Sequence, residues 1–150
     1  MSALARYFMR TGKQVAGYDR TPTELTRQLT DEGISVHYED APGLIPVQFS
    51  SVDDTWVVIT PAVPADNAEL NFLISRGYTL FKRSEMLGQI TRDHKTVAVA
   101  GTHGKTTVST MIAYILSQSK AGCNAFLGGI SKNFNSNLVL HEQSDWMVTE

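Results

Sequence analysis

Between Lys95 and Thr107 an apolar run breaks into a glycine-bracketed turn, Ala100-Gly-Thr-His-Gly104, and then into Lys105-Thr-Thr107. Few short patterns constrain a chain so tightly, because they demand a strand, a loop and a helix in that order. Val97 to Ala100 supplies the strand. Gly101 and Gly104 let the main chain come close to a ligand, and the N–H groups of such a loop converge on phosphate oxygens. The Lys105 ammonium reaches outer phosphates, and the Thr106 hydroxyl is placed to ligate magnesium. Thr107 either touches an α-phosphate or packs as an early helix residue. Val108, Met111, Ile112, Ile115 and Leu116 then recur at helical spacing and predict the helix. The usual pattern sets its first glycine five residues before the second, and Val99 occupies that place here. The match is thus to Gly-Lys-Thr with a shifted leading glycine, and it predicts binding of a nucleoside triphosphate with magnesium through residues 101–107.

The rest of the chain alternates in the same manner. Leu4, Ala5, Phe8 and Met9 form an amphipathic helix that Gly12 closes. Strands are predicted at Gln14–Asp19, Ile34–Tyr38, Trp56–Thr60 and Thr79–Phe81. Helices are predicted from a Thr21 or Thr23 cap to Leu29, around Asn67–Ser75, and over Ser84–Ile90. Alternating strands and helices imply an α/β fold with a parallel, doubly wound sheet. The shift at Arg92-Asp-His94 divides the chain into a Rossmann-like unit, 1–93, and the start of a phosphate-loop unit, 94–150. That second unit continues with a strand near Asn124–Leu127, a polar loop, and a strand at Trp146–Thr149. A dinucleotide-type unit begins with a strand and a Gly-rich loop, whereas this one begins with a helix. Either the fold is unusual or the first strand and its phosphate loop are absent from the sequence.

Composition excludes several classes. With 42% hydrophobic and 19% charged residues in 150, the chain can bury a core. A net charge of −2 without a basic run gives no basis for nucleic-acid binding. The single cysteine, Cys123, rules out an internal disulfide framework and suits a reducing cytoplasm; its apolar neighbourhood reads as core. No run approaches the ~20 apolar residues of a membrane span, and no export pattern follows Met1. His37, His94 and His141 lack metal-ligand spacing.

Several further residues carry alternatives. His103 reads either as a solvent-facing imidazole or as a catalytic group near the γ-phosphate or a substrate carboxylate. Glu150, after an apolar strand beside the loop, is a strand-end acid or a second magnesium contact. Asp19 ends a strand where an acid meets a ribose hydroxyl or a base edge. Ser2 is a helix cap or a donor to a phosphate.

Val97-Ala-Val-Ala-Gly-Thr-His-Gly-Lys-Thr-Thr107 resembles the ATP loop of the Mur ligases, which build the peptide of bacterial cell-wall precursors. Met1-Ser-Ala-Leu-Ala-Arg6 is similar to the helix after that family's Gly-rich UDP loop. Phe126-Leu-Gly-Gly-Ile-Ser-Lys-Asn133 is similar to the segment after its ATP-loop helix. The resemblance spans nearly the whole chain and implies the beginning of a longer enzyme. It makes 1–93 a UDP-substrate domain, with Ser2, Asp19, Thr60 and Ala62 toward the UDP sugar, and 94–150 the opening of the central ATP domain. Glu150 resembles the family's metal-binding glutamate. The implied reaction is an ADP-forming ligation of L-alanine to UDP-N-acetylmuramate through an acyl phosphate, for which the fragment alone is insufficient. The resemblance leaves open a branch that recycles murein tripeptide, and a non-catalytic nucleotide-binding fragment is the remaining alternative.

Overall fold

Short strands of three or four residues, each followed by a helix or turn, dominate the chain, and a computed structural model describes all 150 residues. They divide into two compact units, Met1–Leu87 and Gly88–Glu150, each described by itself. The division falls within a helix, ahead of the residue-93 boundary drawn from the sequence.

The first unit runs α1 (Ser2–Arg10), β1 (Ala16–Tyr18), α2 (Glu24–Asp31), β2 (Ser35–His37), two 3-10 turns (Pro42–Leu44 and Val47–Phe49), β3 (Trp56–Ile59), α3 (Ala68–Ser75) and β4 (Thr79–Lys82). The helix ends have local causes. Thr23 and Thr26 cap α2 reciprocally: the Thr26 amide donates to Thr23 Oγ1 at 3.2 Å and the Thr23 amide to Thr26 Oγ1 at 2.9 Å. The start of α3 is held by Asn67 Oδ1, which accepts from the Leu70 amide, and by the Asp40 carboxylate, which accepts from the Ala68 and Glu69 amides at 2.8 and 2.9 Å. A carboxylate there also meets the positive end of the helix dipole. Leu4, Leu29, Ile34, Leu73, Tyr78 and Met86 are buried as this unit's core.

Strand pairing departs from the expected single sheet. β1 pairs with β2 and β3 with β4, both parallel, but they form two separate two-stranded sheets. The parallel direction follows from the helical crossovers between partners.

The boundary helix α4 (Arg83–Thr91) leads into β5 (Lys95–Ala98), α5 (Lys105–Ser117), β6 (Asn124–Ser131), β7 (Ser136–Val139) and β8 (Trp146–Thr149). The four strands form one sheet in the order β5-β8-β6-β7. β5 and β6 flank β8 in parallel, while β7 returns antiparallel to β6. The stretch expected to be a polar loop after Leu127 is therefore strand. It reverses near Asn135, whose φ of 49° is left-handed, a conformation asparagine tolerates. Gly128 and Gly129 lower strand propensity, which hid this extension, and cross-strand pairing outweighs propensity.

The helix expected after the loop is present as α5, and small residues line its buried face. Ser109 and Ala113 are fully buried, with Ile112 and Leu116 packed beside them, whereas Val108, Met111 and Ile115 are exposed. Ala113 packs with Cys123, Ala125, Leu127 and Val148 in a tight core. Small residues at 109 and 113 let the helix lie close to the sheet.

Candidate functional site

The loop between β5 and α5 is shaped by its glycines. Gly101 and Gly104 have φ of 152° and 75°, both left-handed conformations that glycine adopts without steric cost. Gly104 caps α5 through its carbonyl, which accepts from the Val108 amide at 2.9 Å, and no side chain caps the helix. The first-turn amides of an α-helix have no partner within the helix, so those of Lys105, Thr106 and Thr107 form an anion-attracting end. Lys105 folds over the loop: its Nζ donates to Gly101 O at 2.7 Å and lies 3.5 Å from Thr102 O.

Sheet register brings a carboxylate to the same place. The Lys95 amide donates to Asp145 O at 2.7 Å and the Val99 amide to Thr149 O at 2.8 Å, which pins β8 beside β5 with Ala98 opposite Thr149. Glu150 then follows at the level of the loop. Thr106 Oγ1 donates to Glu150 Oε1 at 2.8 Å. Ser109 Oγ lies 3.3 Å from Glu150 Oε2 and 3.2 Å from Thr106 O, sharing one proton between them. Thr106 is exposed and Glu150 half-buried, so the pair opens to solvent beside the loop.

A hydroxyl and a carboxylate within hydrogen-bond reach are hard oxygen donors. No group of three or more His, Cys, Asp or Glu residues could hold a metal by itself. Magnesium uses one or two protein oxygens and completes its octahedron with water and phosphates. The donor set therefore fits a magnesium–nucleotide and would not make a self-sufficient metal cage.

The structure assembles Gly101, Thr102, His103, Gly104, Lys105, Thr106, Thr107 and Glu150 into one constellation. His103 stands exposed in the loop and forms none of the bonds above. Ser109 was not singled out in the sequence; its place three residues after Thr106, on the same helix face, was the available signal.

The candidates in the first unit lie at the ends of different elements. Ser2 is buried at the first position of α1. Asp19 lies past β1, exposed, its amide donating to His37 O at 3.1 Å and its carboxylate accepting from the Thr21 amide at 3.1 Å. Thr60 follows β3 and its carbonyl accepts from the Val63 amide at 3.2 Å, around an exposed Ala62. Asp19 and Thr60 thus mark the carboxyl ends of strands from different pairs.

Other groups have structural explanations. His37 Nε2 lies 2.7 Å from Glu69 Oε2, joining β2 to α3, a pairing the sequence did not reveal. Cys123 is buried, its thiol donates to Ala113 O at 3.3 Å, and burial pushes its pKa up, the opposite of what a nucleophile needs. A cavity of about 290 Å³ between the 3-10 turns and α3 is walled by Pro42, Phe49, Phe72 and Tyr78 and holds no carboxylate or imidazole. No helix is long and apolar enough to cross a membrane.

Residues 1–95 match the Mur ligase family, catalytic domain. The whole chain is 53% identical to the UDP-N-acetylmuramate–L-alanine ligase of Parabacteroides distasonis, of which it covers 32%. Among solved structures, the UDP-N-acetylmuramate–alanine ligase of Thermotoga maritima matches with a TM-score of 0.78 at 27% identity, over 99% of this chain and 34% of that one. The UDP-N-acetylmuramate:L-alanyl-γ-D-glutamyl-meso-diaminopimelate ligase of Neisseria meningitides shares the fold, with a TM-score of 0.85 at 24% identity over 100% of this chain and 48% of that one. The chain spans about a third of the length of the curated relatives it matches.

Proposed function

The chain belongs to the Mur ligase family, and on that premise we propose that it is the UDP-sugar- and ATP-binding part of an ADP-forming ligase joining L-alanine to UDP-N-acetylmuramate in peptidoglycan precursor synthesis. The observation that carries this reading is the Thr106–Glu150 pair beside the Lys105 loop. The choice of alanine as acceptor rests on 53% identity to a ligase of that name, since the fold likeness to the tripeptide-adding enzyme, at 24% identity, does not discriminate acceptors. A cytoplasmic location fits nucleotide substrates and a lone, reduced cysteine.

In this reading the second unit binds ATP through residues 101–107, and the first, a Rossmann-like domain over residues 1–93, holds the UDP sugar through Ser2, Asp19, Thr60 and Ala62. The parallel β1–β2 and β3–β4 pairs, each joined by a helical crossover, support it.

A carboxylate is a poor electrophile at neutral pH. Transfer of the γ-phosphoryl group of ATP to the lactyl carboxylate releases ADP and leaves an acyl phosphate. The alanine amine attacks its carbonyl, the C–O bond to phosphate breaks, and inorganic phosphate leaves as the amine loses a proton. Lys105 offsets negative charge on the transferred group, a contribution worth about 3–4 kcal/mol per well-placed donor. His103, in the same loop, is positioned to approach the γ-phosphate or the carboxylate. Thr106 and Glu150 would hold magnesium, which when bound neutralises and orients the phosphates. Holding both substrates in register supplies the proximity term.

The test is a chimera in which this chain replaces the homologous third of the Parabacteroides distasonis ligase. Alanine-dependent release of ADP, with formation of UDP-N-acetylmuramoyl-L-alanine, is the expected outcome. A folded chimera that consumes no ATP in the presence of all three substrates would overturn the reading.

A further inference from the structure

Gly128 lies in β6, on the sheet rather than in the phosphate loop, and nothing in the loop pattern points to it. Its surroundings do. A Cβ built on Gly128 would fall inside the contact radius of Glu150 Oε1 and would meet Glu150 Cδ at 2.8 Å and Thr106 Oγ1 at 2.9 Å. Real side chains essentially never approach a Cβ within 3.0 Å, so any residue but glycine would occupy the space where the carboxylate meets the hydroxyl.

The neighbouring Gly129 is different. A Cβ there would meet only Thr106 Cγ2, at 4.0 Å, an ordinary van der Waals contact. Neither glycine has positive φ, so neither is required for backbone freedom, and the contrast between them is steric alone. Ala125 and Leu127 point into the core against α5, and strict alternation would turn Gly129, not Gly128, to that side. The register between β6 and β7 shifts between Phe126 and Ser131, a span that holds both glycines.

We propose that Gly128 is a positioning residue for the magnesium–nucleotide site: its missing side chain lets the Glu150 carboxylate reach Thr106. The proposal rests on the reading of Thr106 and Glu150 as the magnesium-holding pair. The clashing atoms on Glu150 are the far end of a flexible side chain, so a methyl group at 128 displaces the carboxylate and leaves the sheet in place. The fold survives, and the geometry of the two oxygens does not.

The experiment titrates the 150-residue chain with ATP, with and without magnesium, and records thermal unfolding of each variant. Gly128→Ala keeps metal-free ATP affinity within about twofold and loses most of the additional affinity that magnesium confers, about tenfold or more. Gly129→Ala keeps both affinities. Glu150→Ala loses the magnesium-dependent gain, and Gly128→Ala combined with Glu150→Ala loses no more than Glu150→Ala alone, because both act on the same group. If Gly128→Ala instead lowers thermal stability, adding Glu150→Ala restores it by removing the clash. A Gly128→Ala chain with the wild-type magnesium-dependent gain overturns the proposal, as does lost stability that Glu150→Ala fails to restore. A Lys105→Ala chain that binds ATP as the wild type does overturns the underlying loop reading instead.

Discussion

Thr106 Oγ1 donates to Glu150 Oε1 at 2.8 Å across 44 residues of sequence. One side chain lies in the first turn of α5 and the other at the residue following β8. Their meeting is set by parallel pairing of β5 with β8, Ala98 opposite Thr149. A one-residue slip would send Glu150 to the other face of the sheet. The site is thus built from one local motif and one tertiary register.

Removing the Glu150 charge while keeping its shape isolates its electrostatic part. Glu150→Gln keeps one oxygen to accept from Thr106, and the Ser109 hydroxyl can turn to Thr106 O and accept from the new amide, so the fold should be retained. Its magnesium–ATP affinity should fall about tenfold, equivalent to ~1.4 kcal/mol, while metal-free ATP binds as before. Calorimetric titrations with and without magnesium measure both quantities, and an equal fall in the two would show that Glu150 serves the loop's structure instead.

Lys105 differs in kind. Its ammonium donates to the Gly101 carbonyl at 2.7 Å, and binding of phosphate would replace that neutral acceptor by a charged one, a stronger hydrogen bond. Lys105→Ala should weaken ATP with and without magnesium alike, by tenfold or more. Lys105→Arg should not rescue it fully, because a planar fork does not substitute for a compact ammonium. Affinity in Lys105→Ala equal to wild type would remove the residue from the site.

The loop was legible because its chemistry is local: Gly104, Lys105 and Thr106 are adjacent, and strand, turn and helix follow in order. Glu150 was legible as a candidate, but its partners were not, since Ser109 and Gly128 reach it only through packing. The helix after Thr23 was legible from its cap, a contact within three residues, and the helix near Asn67 from the proline-containing break before it. β7 and the extension of β6 were not, because Gly128 and Gly129 carry no strand signal and the antiparallel pairing that orders them is non-local. The buried face of α5 was not legible, because small buried residues, Ser109 and Ala113, carry little hydrophobic signal while exposed Met111 and Ile115 carry much.

Stability of the first unit should depend on pH through Glu32. Arg6 holds that carboxylate in a fork, Nε at 2.8 Å from Oε2 and Nη2 at 2.7 Å from Oε1. The Arg6 hydrogen bond holds the Glu32 carboxyl below its ordinary value, partly opposed by burial. A depressed folded pKa means that folding favours the ionised form. The contribution is complete above the unfolded value, near about 4.3 for glutamate, and disappears as pH falls through the lower folded value. Solvent screening limits it to about 0.5–1 kcal/mol. Urea unfolding of wild type and Glu32→Gln should differ by that amount at pH 7 and converge in acid; a difference that persists at pH 2 would assign the effect to packing.

Gly104 offers a separate test of the loop's backbone. Its φ of 75° is left-handed, and a Cβ there would meet no atom within 4 Å. Replacement therefore costs conformational strain without a clash, about 1–2 kcal/mol for alanine. Asparagine, which tolerates this region better, should cost less than alanine, and valine, branched at Cβ, should cost more. The same order should appear in ATP affinity, since relaxing φ at 104 would rotate the Lys105 and Thr106 amides away from a bound phosphate. Thermal unfolding and ATP titration of Gly104→Asn, Gly104→Ala and Gly104→Val should rank in that sequence. If Gly104→Val binds ATP as tightly as Gly104→Asn, then the left-handed turn does not set the amide geometry, and the glycine serves only to let the chain change direction before α5.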